Sequence, residues 1–259
     1  MANVWSCGGG TQSAAIAALI VLGELPKPDA AVISDTGREA SETWRYYENV
    51  LRPELAAVGV DLVQLPHSFD GAGWNTVDLW GGKDGKTALV PAYTTHAGGA
   101  QLKQTSKFCS NEWKARPVER YYRSLGLTGG RIWIGFSIDE FQRMRGFDPT
   151  AKWNHEYPLI ERRMTRGDCI ALVTQRMGWP QPPRSSCWMC PYRTDAEWRH
   201  LKATDPQDFR AAVGLDTDLR SVDPTLYLHR SGLPLASVDF NEAQGDMLAD
   251  SCASGMCFT

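Results

Sequence analysis

A short apolar run, Asn3 to Ser6, is followed at once by Gly8-Gly9-Gly10 and then by an Ala-, Ile- and Leu-rich run from Gln12 to Leu22. Glycines in series end a strand and allow the positive-φ turn from which a helix can start directly. A helix that is apolar around its whole circumference has to be buried. The opening therefore demands a strand that feeds a central helix. The same alternation continues. Ala30 to Ser34 reads as a second strand closed by the turn Asp35-Thr36-Gly37. Glu42 to Leu55 reads as an amphipathic helix with Trp44, Tyr47 and Leu51 at helical spacing, and Pro53 to kink or end it. Asp61 to Leu65 is a third strand. Strand, helix, strand, helix, strand implies right-handed crossovers and a parallel sheet. The expected fold class is α/β, a doubly wound parallel sheet with ligands at the strand carboxyl ends.

Further along, Pro117 to Leu125 looks helical, Gly129-Gly130 is a turn, and Arg131 to Phe136 is a fourth strand. Arg166 to Met177 is a helix stopped by Gly178 and Pro180. Thr194 with Glu197 three residues on is a capping box for a helix to about Lys202. His67 to Gln104 is glycine-rich without a period, and a loop of that length is usually functional or mobile. Val238 to Thr259 carries Asp239, Glu242, Asp246 and Asp250 but no Lys or Arg, and reads as a mobile acidic tail. The organisation expected is a nucleotide-binding domain at 1–145, a helical and loop region with a cysteine cluster at 146–235, and the tail at 236–259.

Composition excludes several classes. At 259 residues, 42% hydrophobic and 22% charged, the chain is long enough for a substantial core and too apolar for wholesale disorder. A formal net charge of −3 excludes binding to nucleic acid by bulk charge, so such a partner needs a local patch. The longest apolar run, Ala14 to Leu22, is about half of what a bilayer requires. No basic region precedes it, so a signal peptide is not expected and the cytoplasm is the expected compartment. Seven cysteines are too sparse for a disulfide scaffold, and in a reducing compartment Cys187-x-x-Cys190 points to metal or catalysis.

Two constellations carry chemistry. The first is Ser6-Cys7-Gly8-Gly9-Gly10-Thr11-Gln12-Ser13. Its glycines bring backbone amides close to an anion, the helix behind directs its N-terminal dipole there, and Ser6, Thr11 and Ser13 add hydroxyls. No Lys follows the glycines and Ser13 replaces a third spaced glycine, so neither common nucleotide fingerprint is present. A tight turn without a ligand is the plainer alternative. Asp35 ends the second strand, where a carboxylate beside pyrophosphate can hold Mg²⁺ or can simply close an Asx turn. Glu39 reads as a cap for the next helix. Asp139, Glu140 and Arg143 follow the fourth strand toward the same edge.

The second constellation is the thiols. Cys187-Trp188-Met189-Cys190-Pro191 is a stiffened, apolar C-x-x-C. Cys109 precedes a basic segment with Lys107, Lys114, Arg116, Arg120 and Arg123, and Cys169 lies on the helix leading toward the C-x-x-C. Four thiolates can complete a [4Fe–4S] cluster or an all-cysteine zinc site, and spacing does not separate the two. Packing of Cys169 as a buried thiol is its alternative. Cys7, inside the glycine loop, reads as packing. Cys252 and Cys257 sit on the acidic tail with four residues between them.

With these residues in hand, the chain resembles the phosphoadenosine phosphosulfate (PAPS) reductase-like family of the adenine nucleotide α-hydrolase, or PP-loop, superfamily, of the type found in phages and mobile elements. Five pieces match in order: the Ser6 to Ser13 loop; Ser34-Asp35-Thr36-Gly37 with Glu39; Cys109 with Lys114 and Pro117; Gly135, Ser137, Asp139-Glu140 and Arg143; and Ser186-Cys187 with Cys190-Pro191. They span residues 4 to about 200. The resemblance implies that Ser6, Gly8, Gly9, Gly10, Thr11, Gln12, Ser13, Asp35, Thr36, Gly37, Lys114, Gly135 and Ser137 bind ATP or a PAPS-like nucleotide with Mg²⁺. It implies Asp35 and Arg143 as catalytic residues, with Arg143 on phosphate or sulfate, and loosely Cys257 as a sulfur-carrying thiol. It favours [4Fe–4S] over zinc, on Cys109, Cys187 and Cys190 with Cys169 as fourth ligand. The implied function is α-phosphate cleavage with sulfur transfer, the partners being a nucleic-acid or nucleotide acceptor and a sulfur-donor or thiol-reducing protein. Two departures stand out. Gln12 occupies a position where many relatives have Asp, and Ser110 replaces the second Cys of the assimilatory reductases. PAPS or adenylyl-sulfate reduction and a non-catalytic nucleotide- or nucleic-acid-binding subunit are the alternatives.

Overall fold

A computed structural model of the chain describes residues 1–66, 80, 81, 87, 88, 90–95, 103–105 and 109–240. The chain divides into two units, each made of two stretches: Met1–Trp74 with Trp113–Ser186, and Asn75–Glu112 with Cys187–Thr259.

The first unit is built on five parallel strands, β1 (Ala2–Cys7), β2 (Ala30–Ser34), β3 (Leu62–Leu65), β4 (Gly130–Trp133) and β5 (Trp153–Glu156), in the order β3-β2-β1-β4-β5. Side chains alternate between its two faces, as the pleat requires. Trp5, Ala31, Ile33, Leu62 and Trp133 enter one core, whereas Val4, Val32, Leu65 and Ile132 enter the other. Helix α1 (Thr11–Val21), helices α2 (Ser41–Tyr46) and α3 (Arg52–Ala57), the short α5 (Pro158–Glu161) and α6 (Arg166–Ala171) contribute to the first core. Helix α4 (Arg116–Ser124) contributes Val118 and Tyr122 to the second. A parallel sheet flanked by helices is compatible with the doubly wound arrangement expected from the alternation. Ala14 to Ala18 of α1 are all at 0% exposure, which accounts for a helix without a polar face.

Proline shapes the helices. Pro53 and Pro117 each sit near the start of an α-helix, α3 and α4, and each is preceded by a π-helical stretch, Tyr47–Leu51 and Asn111–Ala115. Proline cannot donate to the carbonyl four residues back, and its ring crowds that carbonyl. One wider turn absorbs the mismatch, with Arg52 N–H reaching Tyr47 O. The helix that reads as Glu42 to Leu55 therefore runs on past Pro53 instead of ending there.

In the second unit, α7 (Asp195–Thr204) starts at the capping box. Glu197 N–H donates to Thr194 Oγ1 at 3.3 Å, and Thr194 N–H to Glu197 Oε2 at 2.8 Å. It is followed by α8 (Pro206–Val222). Trp198, Phe209 and Phe240 pack as an aromatic cluster. Asp216 on α8 is fully buried and accepts from Leu228 N–H, Leu235 N–H and Arg220. Among the described residues no helix is long and apolar enough to cross a membrane.

Candidate functional site

The strand order reverses direction between β1 and β4, and in open parallel sheets ligands bind outside the strand carboxyl ends at such a point. The glycine loop leaves β1 there. Gly9 has φ +74°, a left-handed conformation that favours glycine, and Gly8 N–H donates to Ser13 Oγ at 2.8 Å, folding the loop over the helix start. Gly10 is the N-cap of α1 and supplies no capping side chain. The first intrahelical bond is Ala14 N–H to Gly10 O at 2.8 Å, so the amides of the first turn are not spent on a cap. That leaves the positive end of the helix available to an anion.

Other segments close around this point. A Cβ on Gly10 would lie 2.8 Å from Ser185 Cβ and N, so the Ser185 segment lies directly against the loop. Ser185 Oγ donates to Gly8 O, and Ala40 N–H donates to Ser186 O at 3.3 Å. Gly135, just past β4, lies against the same turn: a Cβ there would come 3.4 Å from Gln12 Cβ and Ser13 N. Beyond it the 3-10 turn Ile138–Arg143 brings Glu140 and Arg143 inward, both 7% exposed. Gln12 Nε2 donates to Glu140 Oε2 at 2.9 Å and lies 3.5 Å from Ser137 Oγ. Arg143 Nη1 donates to Glu140 Oε1 at 2.5 Å, and its guanidinium lies 4.0 Å over the Phe136 ring.

At the end of β2, Asp35 closes an Asx turn, accepting from Gly37 N–H at 2.7 Å, and also accepts from Gln64 Nε2 at 3.0 Å. Thr36 is fully buried. Glu39 does not cap α2, whose N-cap is Ala40. Its Oε1 instead pairs with Lys114 Nζ at 2.7 Å. Ser34 Oγ donates to Trp113 O at 2.9 Å, which carries Lys114 to this edge. The charge of Lys114 is felt at Cys7, whose thiol burial nonetheless pushes up to about 11. Cys7 belongs to the core, as read.

The loop residues Ser6 to Ser13, the pair Gly135 and Ser137, and Arg143 thus share the carboxyl edge of β1 and β4. Asp35, Thr36, Gly37 and Lys114 share the edge of β2. The thiols are distributed otherwise. Cys169 is fully buried in the apolar core beneath α1, where burial pushes its thiol up to about 12. Cys109, Cys187 and Cys190 belong to the second unit. Cys187 and Cys190 form one turn, Cys190 N–H donating to Cys187 O at 3.1 Å, and the buried Arg193 donates its Nε and Nη2 to the same carbonyl. Among the described residues no three Cys, His, Asp or Glu converge as a metal site. Cys252 and Cys257 lie outside the described residues. Sequence reasoning did not single out Ser185 or the inward role of Glu140. The i, i+3 spacing of Glu140 and Arg143 was the available signal for the latter.

No family model matches the chain, and no curated protein is significantly similar to it.

Proposed function

We propose that the first unit binds an adenine nucleotide as an enzyme of the PP-loop type, activating it at the α-phosphate. The observation that carries this reading is the uncapped start of α1 behind a three-glycine loop, opening where the strand order reverses. In this reading the loop amides and the helix dipole hold the phosphates. An acceptor nucleophile attacks the α-phosphorus of ATP, the bond to the bridging oxygen of the leaving pyrophosphate breaks, and the adenylyl group passes to the acceptor. Negative charge grows on the pyrophosphate, where fixed amides and the Arg143 guanidinium stabilise it without reorganisation. Asp35, half-buried at the strand end, is the single carboxylate that Mg²⁺ needs beside phosphate oxygens.

For the second unit, thiolate-bound iron on Cys109, Cys187 and Cys190 remains the proposed cofactor, with zinc as alternative, whereas Cys169, expected as a fourth ligand, belongs to the apolar core of the first unit, where burial pushes up its thiol. Cys187 and Cys190 are held within one hydrogen-bonded turn. Iron content with broad absorbance near ~400 nm after anaerobic purification supports the iron assignment. Stoichiometric zinc in colourless protein overturns it. The nucleotide reading is tested by incubating the protein with ATP and Mg²⁺ and separating products. AMP with pyrophosphate supports it, and ADP with phosphate overturns it. Release of sulfite from PAPS identifies the reductase alternative.

A further inference from the structure

Glu140 and Arg143 lie three residues apart on the turn Ile138–Arg143, which is kinked at Glu140 (φ −116°, ψ 16°), and their side chains pair there as an ion pair. Both oxygens of Glu140 are engaged, Oε1 by Arg143 and Oε2 by Gln12. The guanidinium is thus fixed at its Nη1 edge by Glu140 and on one face by Phe136, itself stacked on Tyr157 at 5.7 Å. The remaining edge is unmet among the described residues: Arg143 Nε and Nη2 are buried with no hydrogen-bond partner there. Those two N–H groups form the parallel fork that matches two oxygens of one phosphate or carboxylate. A buried donor left unsatisfied is costly, and an oxyanion in the fork would relieve that cost.

We propose that Gln12 is a positioning residue, whose neutral amide braces Glu140 and thereby holds the Arg143 fork ready for a bidentate oxyanion beside the start of α1. The inference rests on the phosphate-site reading above. Its physical content is the amide. A carboxylate at position 12 would face Glu140 across one hydrogen bond, and two carboxylates at that spacing do not both ionise. The brace would then take up a proton or part, releasing Arg143. Among the described residues, the other ionisable groups of the elements around this turn are Arg143 and Asp139 on the turn itself, Arg166, Asp168 and Cys169 on α6, and Arg184 beside Ser185 on the segment against the glycine loop. Asp139 is itself held, its Oδ2 accepting from Arg166 N–H at 2.6 Å. Helix α1 carries no ionisable side chain, so position 12 alone sets the charge on that side.

The test is calorimetric titration of the full-length protein with pyrophosphate at about pH 8 and about pH 5.5, each variant being compared with the wild type at the same pH. Gln12→Glu should bind roughly tenfold more weakly at the higher pH, within the span of couplings between contacting residues, and recover at the lower pH as the carboxyl pair takes up a proton. Gln12→Glu combined with Glu140→Gln exchanges amide and carboxylate and should restore binding at both. Gln12→Ala, which adds no charge, should weaken binding several-fold without that pH dependence, and serves should the Glu variant fail to fold. Wild-type affinity in Gln12→Glu and Gln12→Ala at about pH 8 overturns the positioning role, as does a pH-independent loss that the exchange leaves unrescued. Absence of pyrophosphate binding by the wild type overturns the phosphate-site reading instead.

Discussion

Replacing Gly9 by alanine tests the loop at the point where geometry leaves least room. Two costs add. Gly9 sits at φ +74°, where a Cβ costs about 1–2 kcal/mol. The new Cβ would also lie 2.6 Å from Thr43 Cγ2 and 3.1 Å from Ile33 Cδ1. The Ile tip can swing, but Thr43 is β-branched, on a helix and fully buried, so its methyl has little room to move aside. Overpacking of this kind costs about 1–3 kcal/mol. The sum, about 2–5 kcal/mol, is a large share of the ~5–15 kcal/mol that keeps a protein folded. At ~2–4 °C per kcal/mol for a chain of this size, the melting temperature should fall by about 10 °C. Near-ultraviolet circular dichroism follows this unfolding through Trp5 and Trp133, both in the adjoining core. Thr43→Ser separates the two costs. It removes the obstructing methyl, so Gly9→Ala with Thr43→Ser should be more stable than the two single losses added together, by the overpacking share. Strict additivity, or a Gly9→Ala protein melting within about 1 °C of wild type, would refute the reasoning.

Stability should fall as pH drops from about 7 to about 5. Burial lowers the pKa of His229 and of His155, so the unfolded chain binds more protons below its ordinary value near ~6.5, and stability present above that value is lost beneath it. Thermal melts across this range that rise toward acid would contradict the assignment. Cys7 and Cys169, raised to about 11 and about 12 by burial, should escape iodoacetamide at about pH 8 in the native protein, as read by peptide mass spectrometry. Labelling of either before Cys187 would count against that. Thr194→Ala should cost about 1 kcal/mol through loss of the capping box, seen in the melting of α7 and α8. If Cys257 carries sulfur, deleting residues 246–259 should leave nucleotide affinity intact and stop turnover, whereas full activity would make the tail thiols incidental.

The parts of the fold legible in the sequence are those where one residue type had one physical use. Three glycines behind an apolar strand announced the turn before α1, and the uniform burial of α1 followed from its lack of a polar face. The strand read as Ala30 to Ser34 has those bounds, because Asp35-Thr36-Gly37 ends it chemically. Several elements were not legible, and two of them show why. Strand β5, Trp-Asn-His-Glu, is an edge strand whose four residues are all half-buried, so no alternation marks it. Helix α8 carries Gly214 and several Asp residues, poor helix formers whose presence is offset by packing of Phe209, Ala212, Leu215 and Leu219. At the site, the residues were visible but their pairings were not. Gln12 meets Glu140 across more than a hundred positions, and only the neighbourhood of β1 and β4 in the sheet brings them together.

That neighbourhood has a consequence for how the chain is made. Strand β1 is the middle strand of the sheet, and its second partner, β4, belongs to the stretch that follows the long interruption. Translation proceeds at ~5–20 residues per second, so on the order of ten seconds separate the emergence of β1 from that of β4. During that interval β1 can pair with β2 while its other edge, with a row of backbone donors and acceptors, waits at the ribosome exit. A nascent chain halted before Gly130 should therefore recruit chaperones or stick to its neighbours, and one halted beyond Glu156 should not.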